Sequence, residues 1–301
     1  MNKFNYLSDP YLQNFISWLE DRIDTHNSLI HKYEILKTKK KWKCNSIFNA
    51  FENYEWSFKY LDSVDNAKVS GNTFEESCIY MDKLSIGLRE SVDSKNEELC
   101  HFYCLAILEW GGRRVFNGNK SKIEELYLEN RLTKYFEKMK SFLNPKTFDT
   151  THLNNTKDIG KFYMNSGFTK IYSLLLNDFI IYDGRVGAAL GLLVRQFCIE
   201  NEIPHIPSSL LFAYGDAGKT KSATGLNRRD PSCELYQFQN LRSNSDRHTE
   251  NNQKANWLLR EVLNNSKSKF KDLEEKRQLR AFEAALFMIG YDVKVKVKYN
   301  F

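Results

Sequence analysis

The sequence predicts a mainly helical fold with few short strands, and three observations predict it. Apolar residues recur at helical spacing in several windows, as Leu12, Phe15, Ile16, Leu19 and Ile23 do. The apolar run "EELCHFYCLAILEW" (97–110) has the length of a buried helix and stops at Gly111-Gly112. Strand-like patterning is confined to the short extended piece "FIIYD" (179–183) and the tail "DVKVKVKYN" (292–300).

Taken in order, residues 11–37 begin with that amphipathic stripe, and "KTKKKWK" (37–43) reads as a solvated turn. Helices are expected over 45–61, 74–91, 97–110 and 121–142, the last followed by Pro145. Polar residues 149–158 open the second half, and "KFYMNSGFTKIYSLLL" (161–176) is apolar on one side. "FIIYD" then leads into a helix over 184–199, which "EIPHIP" ends. Residues 213–232, rich in Gly, Lys, Ser, Asn and Arg, read as a long loop. Helices return over 248–264 and 272–290, and the alternating apolar and basic tail reads as an exposed edge strand. There is no internal repeat. The organisation expected is an N-terminal helical region, 1–95, followed by a helical domain, 96–301.

With 301 residues, 42% hydrophobic and 14% aromatic, the chain can bury substantial cores, and wholesale disorder is excluded. No apolar run approaches the length of a membrane span, and the N-terminus lacks the apolar core of a signal peptide, so a cytoplasmic protein without a membrane partner is expected. The six cysteines form no C-x-x-C pair, and neither a metal site nor a cofactor is expected. Cys100 and Cys104, one helical turn apart in apolar surroundings, are expected to be buried thiols. Charge is uneven: residues 1–150 hold 22 Lys+Arg and 22 Asp+Glu, whereas 151–301 hold 22 and 16. The second half therefore carries the whole net charge of +6, either to face a polyanion or as ordinary surface lysine.

"AYGDAGKT" (213–220) fits a loose phosphate-loop pattern through Gly218, Lys219 and Thr220. Such a loop needs a helix immediately after it, so that the helix N-terminus and the loop N–H groups hold the phosphates. "KSATGLNRRDPS" is a poor helix, interrupted by Gly225 and Asp230-Pro231, and repeated strand–helix alternation is missing. Nucleotide binding is therefore the least favoured reading of this segment.

More chemistry is concentrated around Asp183. Ser166-Gly167-Phe168-Thr169-Lys170 forms a short turn entering a helix, and Tyr182-Asp183-Gly184-Arg185-Val186 opens the next one. An aspartate there caps the helix and is favoured by its dipole. The arrangement resembles the helix–hairpin–helix DNA glycosylases, matching their signature at the aspartate and the following valine. More closely, it resembles the 8-oxoguanine-glycosylase-like branch found in bacterial anti-phage defence. "TKIYS" and "IYDGRV" carry that resemblance. "LAILEWGG" (105–112), "RRDPS" (228–232), "RHTENNQKANWLLREVL" (247–263) and "LRAFEAALFMIGYDV" (279–293) follow it along the chain. The hairpin keeps only Gly167 of the family's Gly-x-Gly, and Arg185 stands where the family has histidine.

The resemblance implies a helix–hairpin–helix glycosylase fold acting on double-stranded DNA, with phage DNA carrying modified bases as the partner. Glucosylated hydroxymethylcytosine is the target base it suggests. Hydrolysis of an N-glycosidic bond passes through a positively charged sugar, which a fixed carboxylate stabilises while it orients water. That role falls to Asp183, with Lys170 a second catalytic candidate or a phosphate contact. Gly167, Thr169, Arg185, Lys219, Lys221, Arg228, Arg229, Arg247 and His248 are the candidate DNA contacts. Trp110, Tyr172 and Tyr182 are candidates to line the pocket for a flipped base. The alternative from the charge asymmetry alone is a non-catalytic DNA-binding or sensing subunit of a defence complex.

Overall fold

The computed structural model describes residues 1–36, 38–62, 64–154, 162–217, 227–241 and 244–294. Of the described residues 57% are helical, and they contain eleven α-helices and two small antiparallel sheets. In order these are α1 (Lys3–Leu7), α2 (Pro10–Glu20), β1 (His31–Glu34), β2 (Lys41–Cys44), α3 (Ile47–Glu52), β3 (Phe58–Asp62) and β4 (Ala67–Gly71). There follow α4 (Phe74–Asp93), α5 (Glu97–Trp110), α6 (Arg113–Leu128), α7 (Leu132–Phe142), α8 (Phe168–Leu175), α9 (Gly184–Glu200), α10 (Ser245–Asn265) and α11 (Glu275–Ile289).

The chain forms two compact units, each assembled from three segments. The first comprises Met1–Lys3, Glu55–Ile181 and Asn244–Asn256, and the second Phe4–Tyr54, Tyr182–Ser243 and Trp257–Phe301. The expected boundary near residue 95 falls between α4 and α5, both in the first unit.

In the first unit α4 and α5 lie side by side, with α7 and α8 against both, and with α6 and β3 against α5. α4 starts at a reciprocal cap in which the Thr73 hydroxyl accepts from the Glu76 N–H while the Glu76 carboxylate accepts from Thr73. α5 starts at Asn96, whose side chain accepts from the Leu99 N–H, with Glu97 and Glu98 in the first turn. It stops at Gly111, and Gly112 at φ 99° turns the chain into α6, a backbone conformation that requires glycine. Cys100 and Cys104 are both fully buried, as their place in an apolar helix predicts.

The first part of α10, despite its polar sequence, is also interior: Thr249, Asn252, Gln253 and Asn256 are all buried. Their polarity is used on loop backbones. Asn256 Oδ1 accepts from the Ile180 N–H at 2.8 Å, Asn252 Nδ2 donates to the Ile180 carbonyl at 3.1 Å, and Gln253 Nε2 donates to the Leu143 carbonyl at 2.8 Å. "FII" therefore lies outside the two sheets of the described residues, and side-chain amides one helical turn apart hold the Ile180 peptide on both sides.

In the second unit α9 is buried along almost its whole length and contacts α11 and α2, while α11 also contacts α3. Asp9 caps α2, accepting from the Leu12 N–H ahead of Pro10 at the first helical position.

Two expectations are corrected. Residues 45–61 are not one helix: α3 ends at Glu52, and Phe58, Tyr60 and Asp62 point inward from β3, paired with β4 in the register Tyr60 to Val69. "KTKKKWK" is a turn only in part: Lys41 and Lys43 face outward while Trp42 and Cys44 face inward, making β2. Four strands thus lie within the region expected to be helical. The helices expected over 121–142 are the end of α6 and α7, separated at Asn130, which takes φ 52°. The edge strand expected over 292–300 lies, beyond Lys294, outside the described residues.

Candidate functional site

In the second unit the nominated residues converge on the N-terminus of α9. Asp183, half-buried, is the N-cap: its Oδ1 accepts from the N–H groups of Arg185 (2.8 Å) and Val186 (3.1 Å). Two amide donors on one carboxylate oxygen fix its orientation. The helix start is held by close backbone contact on two sides. On one side lies "AYG": the Tyr182 hydroxyl donates to the Ala213 carbonyl at 2.8 Å, and the Gly215 N–H donates to the Gly184 carbonyl at 3.3 Å. A Cβ on Gly187 would lie 2.1 Å from the Ala213 oxygen, so only glycine admits this approach. "AYG" is pinned in turn, since the Tyr214 N–H donates to Gln239 and the Tyr214 carbonyl accepts from Leu241. On the other side, a Cβ on Gly290 would lie 1.9 Å from the Arg185 carbonyl oxygen.

Arg185 is buried and its guanidinium lies over two rings, 4.3 Å from Phe287 and 4.8 Å from Tyr291. Tyr291 stacks on Tyr33 at 4.9 Å, and Tyr33 on Trp42 at 4.7 Å. Burial, aided by the nearby Arg229 and opposed by Asp183, pulls the Arg185 pKa down to about 10. Arg185 is therefore still a cation at neutral pH. Arg228 is buried, with its guanidinium 5.9 Å from the Tyr291 ring, and its carbonyl accepts from Val293. Arg229 is half-buried and its Nη1 donates to the Asp216 carbonyl. Burial raises the Asp292 carboxyl above its usual value, against the pull of Arg228 and Lys294. The structure thus gathers Asp183, Arg185, Arg228 and Arg229 in one unit, as a fixed carboxylate in cationic surroundings. Tyr182 lies beneath them, fully buried.

The first unit holds the hairpin candidates. Asn165 is the residue that organises this turn: its Oδ1 accepts from the Gly167 N–H (2.8 Å) and the Phe168 N–H (3.2 Å) and so caps α8. Gly167 has a right-handed conformation, and the space beside it is taken by Asn119, 2.2 Å from where a Cβ would stand. Lys170 is buried, its stem against Gly111 and its Nζ donating to the Ser166 carbonyl at 2.9 Å. The Thr169 hydroxyl, fully buried, donates to the same carbonyl.

Tyr172 is a core residue in this structure rather than the wall of an open pocket. The Tyr163 N–H donates to the Tyr135 oxygen, Tyr135 donates to Tyr172, and Tyr172 donates to the Tyr163 carbonyl at 2.7 Å, a closed ring of three bonds. Trp110 is half-buried at the end of α5. His248 is buried in the first turns of α10, and the half-buried Arg247 gives its N–H to Asn244 Oδ1. Lys219 and Lys221, with Gly218 and Thr220 of the phosphate-loop match, lie outside the described residues; the described residues 227–241 contain no helix.

Sequence reasoning missed Asn165, although an asparagine ahead of an apolar helix is a cap signal. It also missed Tyr33, Trp42 and Tyr291 around Arg185, which no local pattern could connect. Among the described residues no helix is long and apolar enough to cross a membrane. The chain matches no family model, no curated protein and no solved structure.

Proposed function

We propose that the protein is a monofunctional DNA glycosylase of the helix–hairpin–helix type, which hydrolyses the N-glycosidic bond of a modified base in phage DNA and leaves an abasic site. The observation that carries the reading is the Asp183 carboxylate, fixed by two N–H groups at the start of α9 and close enough to the Arg185 guanidinium to act on its charge. A pre-oriented carboxylate is what an oxocarbenium-like transition state requires, and the half-buried Arg229 of the same unit suits a flanking phosphate. In this reading Asp183 stabilises the charged sugar and orients the attacking water. Lys170 positions the hairpin through Ser166 and takes no covalent part. Glucosylated hydroxymethylcytosine is the base to test first.

The test is incubation with phage DNA carrying modified bases, followed by alkaline cleavage of abasic sites. Strand breaks from the wild-type protein and none from Asp183→Asn are expected, because asparagine keeps the cap and removes the charge. Undiminished cleavage by Asp183→Asn removes the mechanism. The second reading, a non-catalytic DNA-binding subunit, is favoured by the cap itself, a complete structural role for Asp183. It predicts salt-dependent DNA binding with no abasic product from either protein.

A further inference from the structure

The first ten residues of α6 are unusual for a helix start. They contain Arg113, Arg114, Lys120 and Lys122 and no acid before Glu124. Cations in the first turn oppose the helix dipole, so their placement does not serve the helix. The guanidinium groups of Arg113 and Arg114 are exposed and make no ion pair or hydrogen bond among the described residues. The exposed positions that follow are Asn117, Gly118, Lys120 and Ser121, all small or polar. Gly118 has nothing within 4 Å of where a Cβ would stand, and its backbone is helical, so neither packing nor conformation calls for glycine there. A glycine without a structural reason on an exposed helix face permits a partner to approach the backbone closely.

The inward side of the same turns is fixed to the hairpin. Asn119 is buried, donates to the Val115 carbonyl at 2.8 Å and accepts from Asn165 Nδ2 at 2.9 Å. Asn119 thus ties the cationic turns of α6 to the turn at 165–170.

We infer that the face of α6 formed by Arg113, Arg114, Gly118 and Lys120 binds the phosphate backbone of duplex nucleic acid. The charge complements a polyanion, and the smooth surface at Gly118 lets the backbone lie close. A membrane surface fits less well, because a helix that lies on lipid carries large apolar side chains among its cations, and these exposed positions carry none. The inference shares a nucleic-acid partner with the proposed function but does not depend on chemistry at Asp183.

The experiment is fluorescence anisotropy with an unmodified DNA duplex over a range of salt concentrations. Arg113→Glu/Arg114→Glu is expected to bind at least about tenfold more weakly, with a salt slope smaller by about two. Gly118→Leu is expected to weaken binding several-fold at a melting temperature no lower than that of the wild type. Circular dichroism checks that both variants are folded. Wild-type affinity and slope in the double variant overturn the inference. So does loss of binding to anionic phospholipid vesicles in place of DNA, or a wild-type protein that does not bind the duplex. DNA binding through α6 without any base release would sink the glycosylase reading alone. Base release with wild-type affinity in the double variant would sink this one alone.

Discussion

The peptide of Ile180 is held by α10: its N–H donates to Asn256 Oδ1 at 2.8 Å, and Asn252 closes the other side. This bond orders the extended segment just before Tyr182 and Asp183, within a buried and otherwise apolar setting. Asn256→Ala leaves a buried N–H without a partner, a cost of about 1–3 kcal/mol. Urea unfolding is expected to show that loss. Asn251→Ala, which removes a bond from Asn251 to the Arg247 carbonyl on its own helix, is expected to cost less. Equal losses would mean that the Ile180 bond has no special weight.

Two glycines are expected to respond in opposite directions to alanine. At Gly290 the new methyl would meet backbone, the Arg185 carbonyl oxygen at 1.9 Å, so α11 and the start of α9 must separate. The loss is expected to exceed about 3 kcal/mol, and soluble yield should fall with it. At Gly118 the methyl meets nothing within 4 Å, and the helix gains about 0.5–1 kcal/mol. Melting temperatures of the two variants check both signs, and a stabilised Gly290→Ala would refute the close packing at α9.

His31 should make stability depend on pH. Its Nε2 lies 3.1 Å from the Ile289 carbonyl, which can only accept, so this nitrogen carries the proton of a neutral ring. Burial lowers its pKa from 6.5 to about 4. The folded state therefore resists protonation that the unfolded chain accepts. The stabilisation is complete above pH about 6.5, decreases as pH falls, and is lost by about pH 4. The full span is roughly 3 kcal/mol. Chemical denaturation at pH 7.5 and 5 should show a drop for the wild type and a smaller one for His31→Gln. Identical drops would place the pH dependence elsewhere.

How much of this was legible in the sequence depends on how local each determinant is. α5 and α9 could be read almost to the residue, because Asn96, Gly111 and Asp183 are caps that act within one turn of their own helix. Mainly helical architecture follows from the same local signals. β2 was obscured by its lysines: in "KWKC" the alternation of charge and apolar side chain spans only four residues, and the charge dominates the reading. The peptide of Ile180 in "FII" is held by Asn252 and Asn256 of α10, far along the chain, which no local period reveals. The site divides in the same way. Asp183 as a cap is a local fact. The seating of Arg185 over Phe287 and Tyr291, with Tyr33 and Trp42 stacked behind, depends on segments from both ends of the chain.

The capping role of Asp183 and the catalytic role proposed for it can be separated by comparing two substitutions. Its Oδ1 accepts from the Arg185 and Val186 N–H groups, a capping function that an asparagine oxygen performs equally well. Asp183→Asn is therefore expected to melt within about a degree of the wild type, whereas Asp183→Ala loses the cap and about 1 kcal/mol. Chemistry should follow the charge instead. A neutral amide cannot stabilise a cationic sugar or accept a proton from water, so both variants are expected to release base at least about a hundredfold more slowly. DNA affinity should hold or rise in both, because a negative charge near phosphate has been removed. The decisive comparison is base release against melting temperature. If release falls in Asp183→Ala but not in Asp183→Asn, the aspartate acts only by holding α9, and the carboxylate chemistry is wrong. If both variants are stable, bind duplex and release nothing, the cap and the catalyst are the same side chain.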